Sequence, residues 1–508
     1  MERVHDLVVV GAGVGGLTTA ALAAADGLDV LVVEAHTRPG GCAGDFWRRG
    51  VLLPAGATLV SGFEPGGLHD RIYRRLGLTP RVRAVQPAMR VVLPDRALAV
   101  PTDWEAWETE WRQAFPGQDA AKARFWREVR ALDALAYRFA SQQPVLPPSA
   151  LDLVRLLPAL RPADVVHAAA LWQTVGDRLR RCAVTDGAHE RFLDAQLLIS
   201  MQCVAADCVA LNGGLALGLY RHGCYYPEGG PGAIAADLAA AVTAQGSAIR
   251  YQAPVSAVRR RAGGWAVTLA GAEQLIGCQV VLNLAAWAVP ELLGEDCPAP
   301  LRARVQRLPE GWGAVVLHGV VDASPALPPA PAHVQVVADY ARPLPEGNSC
   351  FVSLLPGEGR AAGRLALAVS THTQPRRWRL PDRAAYEAQR DLYRERLLAA
   401  AERALPGIRA HLRHVECATP RTFARFTSRP HGLVGGLPQT REWANFRALS
   451  HRVDPRGLYL VGDTVFPGAG TIGVTLSGLN AYRDVRRAAA TRALPAPRPR
   501  PSLVGRAP

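Results

Sequence analysis

Three glycines and one acid define the chemistry open to this chain. Gly11, Gly13 and Gly16 follow the apolar run Leu7–Val10, and Glu34 closes a second run, Val30–Val33, about twenty residues on. Gly11 permits a tight turn, Gly13 lets a pyrophosphate approach the backbone, and Gly16 lets a helix pack closely on a strand. The phosphates would sit at the N-terminus of the helix predicted from Leu17 to Ala25, where unpaired N–H groups and the helix dipole favour anions. A carboxylate at Glu34 can accept hydrogen bonds from ribose hydroxyls, so the set describes a site for an adenine dinucleotide.

A second constellation lies near the other end of the chain. The run Leu458–Val461 ends in Gly462 and Asp463, and a glycine-rich turn leads through Ile472 and Gly473 into a helix from about Val474 to Thr491. Asp463 is placed to bind a ribityl chain or cap a pyrophosphate. The helix start near Gly473 and Val474 would face an isoalloxazine ring, whose reduced N1–C2=O edge carries negative charge. That separates a flavin from a nicotinamide. As an alternative, Asp463 is a turn or N-cap residue. A proton acceptor is harder to find: Asp194, His222 and Glu228 lie in polar interruptions of apolar segments, each with a structural or surface role as the alternative, and the catalytic residues stay unknown. No HExxH or close His/Cys cluster offers a metal site, and no Gly-x-Ser-x-Gly marks a hydrolase.

The elements that must position these residues come from both chain ends and the middle. Residues 1–64 form the first portion of the nucleotide domain, which a third run, Gly50–Thr58, is expected to complete. Residues 65–221 change to arginine-rich helical pattern with tryptophan and proline breaks and form an inserted substrate domain. Nucleotide-domain signals return over 222–297, including a strand Ile249–Val258 and another, Gln279–Leu284, that carries Asn283. A second insertion spans 298–417, residues 418–494 close the nucleotide domain, and 495–508 form a proline- and arginine-rich disordered tail. Gly357–Gly363 imitates a phosphate loop but has no following helix, which makes it a hairpin connection. An uncharged stretch from Leu7 to Ala25 has bilayer-spanning length, but its glycine cluster and acidic partner strand argue against a span.

At 508 residues the chain can bury a large core, most simply in two domains. The formal charge of +14 is almost all arginine, since Lys122 is the only lysine. The arginines are scattered without a recognition motif, which argues against nucleic acid and leaves anionic lipid as the better partner. Nine cysteines without a CxxC pair fit a reduced, cytoplasmic protein, and Met1–Asp6 is too short and polar for a signal peptide. The segment Pro148–Arg161 has leucines on most of a short helix and arginines toward its C-terminal side, as an interfacial helix drawing substrate from a bilayer would; its alternative is a core helix. Trp104, Trp107, Trp111 and Trp126 are expected in the core.

These segments together resemble the FAD-dependent carotenoid desaturases and isomerases of the phytoene desaturase type. The likeness rests on Val8–Gly16 with Glu34, Arg38–Cys42, Tyr225–Gly230, Thr419–Phe423 leading to Gly435 and Gly436, and Leu458–Gly473. It implies an α/β, two-part Rossmann-like FAD-binding fold of the glutathione reductase or amine oxidase type with an inserted α+β substrate domain. It also implies non-covalent FAD on Gly11, Gly13, Gly16, Glu34, Arg38, Gly40, Gly41, Gly462 and Asp463, with Val255 at the adenine. Ile472, Gly473 and Val474 would face the ring, and Gly56 and Thr58 would lie near it. Where the family often has an acid two places before that glycine, this chain has Pro54.

The Gly462–Pro467 form is similar to the isomerases and end-group desaturases. The implied reaction is C-3′,4′ desaturation of an acyclic ψ-end by hydride transfer to flavin N5, with a quinone or oxygen as acceptor, at the inner face of the cell membrane. Carotenoid cis–trans isomerisation using reduced FAD is the alternative. An amine oxidase would want an aromatic cage, and some carry a cysteine near the closing motif that is missing between Gly457 and Tyr482. A non-redox lipid escort protein would not need Glu34 together with the complete closing motif.

Overall fold

Valine and leucine runs buried on both faces dictate a parallel sheet, because such strands have no polar side to give to solvent. In the computed structural model, which describes residues 3–358 and 363–491, Val4–Val10 lies between Val30–Val33 and Gln274–Asn283, all parallel. Ala248–Arg250 extends the sheet beyond Val30–Val33, and Leu458–Val461 extends it beyond the last four residues of Gln274–Asn283. The N-terminal end of that long strand instead pairs with Gly264–Leu269, which continues antiparallel into Val255–Arg261. Helices Val14–Ala25, Ala233–Ala244 and Gly470–Thr491 pack together with the sheet in one apolar cluster, and Trp265, Leu293 and Trp443 belong to the cluster with the opposite-facing Val8 and Val10. Strand Val4–Val10 and helix Val14–Ala25 are separate elements, so Leu7–Ala25 is not a single span.

Within the run Gly50–Thr58, Val51–Pro54 pairs antiparallel with Asp45–Arg48 in a separate hairpin. Arg49 and Gly50, at φ +51° and +79°, turn the chain back on itself in the geometry that tight two-residue hairpins require. The run Ile249–Val258 is not one strand. It breaks at Gln252, where φ is +55°, so its two pieces join opposite edges of the sheet.

A second sheet holds eight strands: seven run in the order Leu412–Ala418, Trp312–Asp322, Arg364–Thr373, Ser349–Pro356, Ala332–Val337, Met89–Val92 and Ala97–Val100, and Leu433–Val434 pairs with the start of Trp312–Asp322. Helix Arg383–Ala404 packs on it through Tyr393, Leu397 and Ala401. The inserted stretch 65–221, read as helical pattern with breaks, also contributes a hairpin, Met89–Val100, which attaches by parallel pairing to Ala332–Val337. Its helices bury Trp107, Trp111 and Trp126, with the first and third rings edge-on at 4.9 Å. Ser349–Pro356 and Arg364–Thr373 are antiparallel neighbours. Residues 359–362 of the phosphate-loop imitation and the tail 495–508 lie outside the described residues.

All nine cysteines are free thiols. Among the described residues no helix is long and apolar enough to cross a membrane, and no group of three His, Cys, Asp or Glu side chains could hold a metal.

Candidate functional site

The glycine turn is packed tightly around Asn283. Gly11 has φ +97°, and its N–H donates to the Val33 carbonyl at 2.7 Å. Asn283 Nδ2 donates to the Gly11 carbonyl at 3.3 Å. A Cβ at position 16 would stand 2.6 Å from that carbonyl oxygen and 2.8 Å from Asn283 Cβ, and one at position 13 would overlap the Asn283 amide. Gly15 has its own reason for lacking a side chain. A Cβ there would lie 2.9 Å from the Val474 carbonyl, while one at Gly478 would overlap the Gly15 carbonyl. The two helices that frame the groove thus cross backbone to backbone at Gly15 and Gly478.

Helix Val14–Ala25 begins at Gly13 with no side-chain cap and no acid in its first turn. Its orphan N–H groups are therefore free of internal competition for an anion. Glu34 is bent back onto this turn: its Oε2 accepts from the Ala12 N–H at 2.6 Å and its Oε1 from the His36 N–H at 2.8 Å. Each oxygen keeps a lone pair for a further donor. Val255 lies beyond, reached through the Ala253 N–H that donates to the Glu34 carbonyl at 2.9 Å.

The middle of the groove is organised by ion pairs. Arg38 meets Asp45 at 2.8 Å, and burial pushes the Asp45 carboxyl upward against the opposing pull of that guanidinium. Gly40, at φ +115°, donates to the Ala12 carbonyl at 2.8 Å, and Gly41 follows at φ +56°. A Cβ at Gly56 would sit 2.9 Å from the Cys42 carbonyl. Thr58 accepts from Ser353 Oγ at 2.9 Å, which ties it to the second sheet.

At the closing motif, Gly462 has φ +125° and donates to Ser477 Oγ at 3.0 Å. Asp463 faces the Arg429 guanidinium, a partner the sequence reading missed. Ile472 borders Gly62, where a Cβ would be 3.1 Å from Ile472 Cγ1, and Gly473 is pressed against the Gly468 carbonyl. His69 clamps this region. Its Nδ1 donates to the Ser61 carbonyl at 2.8 Å, which leaves Nε2 to accept from the Thr475 hydroxyl at 3.0 Å; burial drops its pKa to about 4.

One cavity of about 1100 Å³ runs through all of this. It is bordered by Glu34, His36 and Val255, by Gly11, Gly13, Val14 and Gly15, by Arg38–Asp45, and by Gly462 and Thr471–Val474. It continues into an apolar chamber walled by Ile199, Leu215, Leu219, Tyr220, Val316 and Phe351. Gly16 alone of the expected cofactor residues is absent from its lining, being packed beneath the turn.

The three proton-acceptor candidates are not on that lining. Asp194 accepts from the Ala205 N–H at 2.8 Å, and burial raises its pKa to about 6. His222 is held by Asp133 at 2.9 and 3.0 Å and stacks on Tyr137 at 3.9 Å, and Glu228 is exposed. The lining instead includes Glu64, Arg71, Tyr137 and His318, which no local sequence pattern distinguishes.

The fold is a two-part, Rossmann-like α/β architecture with its groove along the glycine turn. The NAD(P)-binding Rossmann-like domain family matches residues 9–76. A solved putrescine oxidase triple mutant superposes with a TM-score of 0.66 at 15% identity, covering 96% of this chain and 99% of its own. Along nearly its whole length the chain is similar to carotenoid isomerases and desaturases. It is 27% identical over 505 residues to the chloroplastic prolycopene isomerase of Daucus carota, covering 94% of this chain and 79% of that protein. It is 28% identical over 514 residues to the hydroxyneurosporene desaturase of Rubrivivax gelatinosus, covering 94% of this chain and 92% of that protein.

Proposed function

We propose that this protein is an FAD-dependent oxidoreductase that desaturates a carotenoid, at C-3′,4′ of an acyclic ψ-end. The observation that carries the reading is the continuity of the dinucleotide groove with the apolar chamber, so that a rod-like hydrocarbon and the cofactor would share one water-poor space. The uncapped helix start and the backward-bent Glu34 fit an adenine dinucleotide. Gly11, Gly13, Glu34, Arg38, Gly40, Gly41 and Val255 would hold its nucleotide portion, with Gly16 shaping the turn from beneath, and Gly56, Thr58, Gly462, Asp463, Ile472, Gly473 and Val474 its flavin portion. Bound there, FAD supplies a two-electron acceptor for a hydride leaving an allylic carbon.

The protein's own part is orientation and exclusion of water. Arg429 fixes Asp463, Ser477 fixes the Gly462 N–H, and His69 ties the Ser61 loop to the closing helix, so the walls nearest the ring position are held from three sides. Delivery of substrate is assigned to residues 150–172. Leu151, Leu153, Val154, Leu157, Val165, Val166 and Trp172 are each more than half exposed there, among Arg155 and Arg161. An apolar patch of this kind with flanking cations suits the surface of an anionic membrane. A quinone or oxygen would then take the electrons.

The likeness to prolycopene isomerase favours a second reading, cis–trans isomerisation with reduced FAD and no net oxidation. Expression in cells supplying acyclic and monocyclic carotenoids, followed by chromatography, absorption spectra and product mass, separates the two. Loss of two hydrogens with a red-shifted spectrum supports desaturation and locates the bond. Unchanged mass with altered geometry establishes the isomerase, and no change on any carotenoid rejects both.

A further inference from the structure

We propose that His372 is the proton acceptor of the desaturation. It takes the proton from the substrate carbon beside the one that gives up hydride. The inference deepens the functional reading above and rests on it.

Strand alternation turns this side chain toward the cavity. In Arg364–Thr373, Leu367 and Val369 share an apolar cluster with helix Arg383–Ala404, so Ser370 and His372 stand on the opposite face. Their cross-strand partners Val316 and Ala314 face the same way, and all four line the cavity. Trp312 packs edge-on against the imidazole, with ring centroids 5.9 Å apart, and its indole N–H already donates to the Gln202 carbonyl at 3.0 Å. Among the described residues neither ring nitrogen of His372 has a hydrogen-bond partner, and neither is closed off as His318 Nε2 is further along the same face. Burial lowers the His372 pKa to about 4, so at neutral pH the ring is uncharged and offers a lone pair. The wall that carries it runs on to the closing motif. Trp312 pairs with Val434, Gly435 follows on the cavity lining, and a Cβ at Gly436 would overlap the Asp463 carbonyl. Acids on the lining are otherwise engaged: Asp463 with Arg429, Glu416 with Arg48, and Glu64 with Tyr137.

The hydride leaves C-4′ with both electrons of its bond and passes to N5 of bound FAD, and the cation left behind is delocalised over the adjoining polyene. A proton on C-3′, next to that cation, is strongly acidic, so a weak base suffices. His372 takes it, and the electrons of the broken C–H bond become the new double bond. The quinone or oxygen that later accepts the two electrons also receives this proton, which returns the imidazole to its neutral form. Isomerisation with reduced FAD releases no proton and gives His372 no such role.

The test uses the purified FAD-loaded protein and lycopene, which carries two acyclic ψ-ends. In the chemically reduced protein, which cannot take hydride, diethyl pyrocarbonate should label His372, as mapped by peptide mass, and bound lycopene should block that labelling. In anaerobic single turnover, His372→Gln should bleach the visible flavin band at least about a hundredfold more slowly than the parent, with flavin content and lycopene affinity unchanged. Deuterium at C-3′ should slow the variant by a larger factor than the parent, which a loss of packing alone would not cause. The labelling experiment needs no variant and decides alone if His372→Gln fails to fold. Labelling that lycopene does not block, a parent-like bleaching rate in His372→Gln, or an unchanged C-3′ isotope effect would overturn the proposal. Any of these in a protein that desaturates lycopene removes His372 and keeps the functional reading. Conversion without loss of hydrogen, or no conversion, rejects that reading and this role together.

Discussion

Arg429 Nη2 lies 3.0 Å and 2.8 Å from the two carboxylate oxygens of Asp463, and both side chains are largely shielded from solvent. The Arg429 Nε also reaches the Leu433 carbonyl, so the guanidinium links the strand Leu433–Val434 of the second sheet to the closing turn of the first.

Arg429→Met should therefore leave Asp463 charged and unpaired next to the cofactor groove. Removing one partner of a buried ion pair costs about 3–5 kcal/mol, and the slight exposure here points to the lower end. The purified variant is expected to lose bound flavin, seen as loss of the visible absorbance per protein, together with a lowered denaturation midpoint. Full retention of flavin would show that the pair does not shape the site.

Gly478→Ala should be disruptive although the residue lies inside a helix, where alanine is usually favoured. The added methyl would run into the Gly15 carbonyl and force apart the helices that frame the dinucleotide groove. Overpacking of this kind costs about 1–3 kcal/mol. Urea unfolding checks it; a midpoint equal to or above that of the parent would contradict the close crossing.

Lys122, the only lysine, is fully buried and donates to the Phe115 and Gly117 carbonyls at 2.7 Å and to Asp186 at 2.6 Å. Asp186 in turn caps helix Gly187–Met201 by accepting from the Ala188 and His189 N–H groups. Lys122→Met strands three acceptors at once, and the expected loss is about 3 kcal/mol or more, read from thermal or urea unfolding.

Stability should fall on mild acidification. Burial holds His69, His318, His333 and His372 at pKa values of about 4 and His189 at about 3, all below the ordinary histidine value of 6.5. Between pH 6.5 and 4 the unfolded chain binds protons that the folded chain does not, so stability is full above the unfolded pKa and is lost as pH drops through this window. Melting curves from pH 7.5 to 4.5 test the sign, and a midpoint that rises toward pH 5 would refute it.

Leu153→Ser combined with Val166→Ser should lower sedimentation with anionic vesicles while leaving the melting temperature within a degree or so, because both side chains are more than half exposed and substitutions at such sites change stability by about 0.5 kcal/mol at most. Unaltered vesicle binding would remove residues 150–172 as the membrane-facing surface.

The parts of this protein readable in its amino-acid order were those whose cause is local. Valine runs buried on both faces, a glycine forced to positive φ at position 11, and an acid one strand later report on residues only a few turns apart. That spacing is enough to specify the βαβ unit and the strand leading into Gly462. Where a run met a competing local preference, the reading failed: Ile249–Val258, expected as one strand, breaks at Gln252, where φ is +55°, and its two pieces join opposite edges of the sheet.

The remainder was decided by pairings across distance. Asn283 fills the hollow of a turn 272 residues earlier, Arg429 reaches Asp463 across two sheets, and Glu64 meets Tyr137 from 73 residues away. None of these contacts leaves a periodic trace, because each depends on which surfaces the folded layers bring together. The same holds for the cavity, whose walls come from segments between Val10 and Leu476. Side-chain chemistry was written along the chain; which groups share a wall, and which are left unpaired on it, follows only from how the two sheets and the inserted helices close around one space.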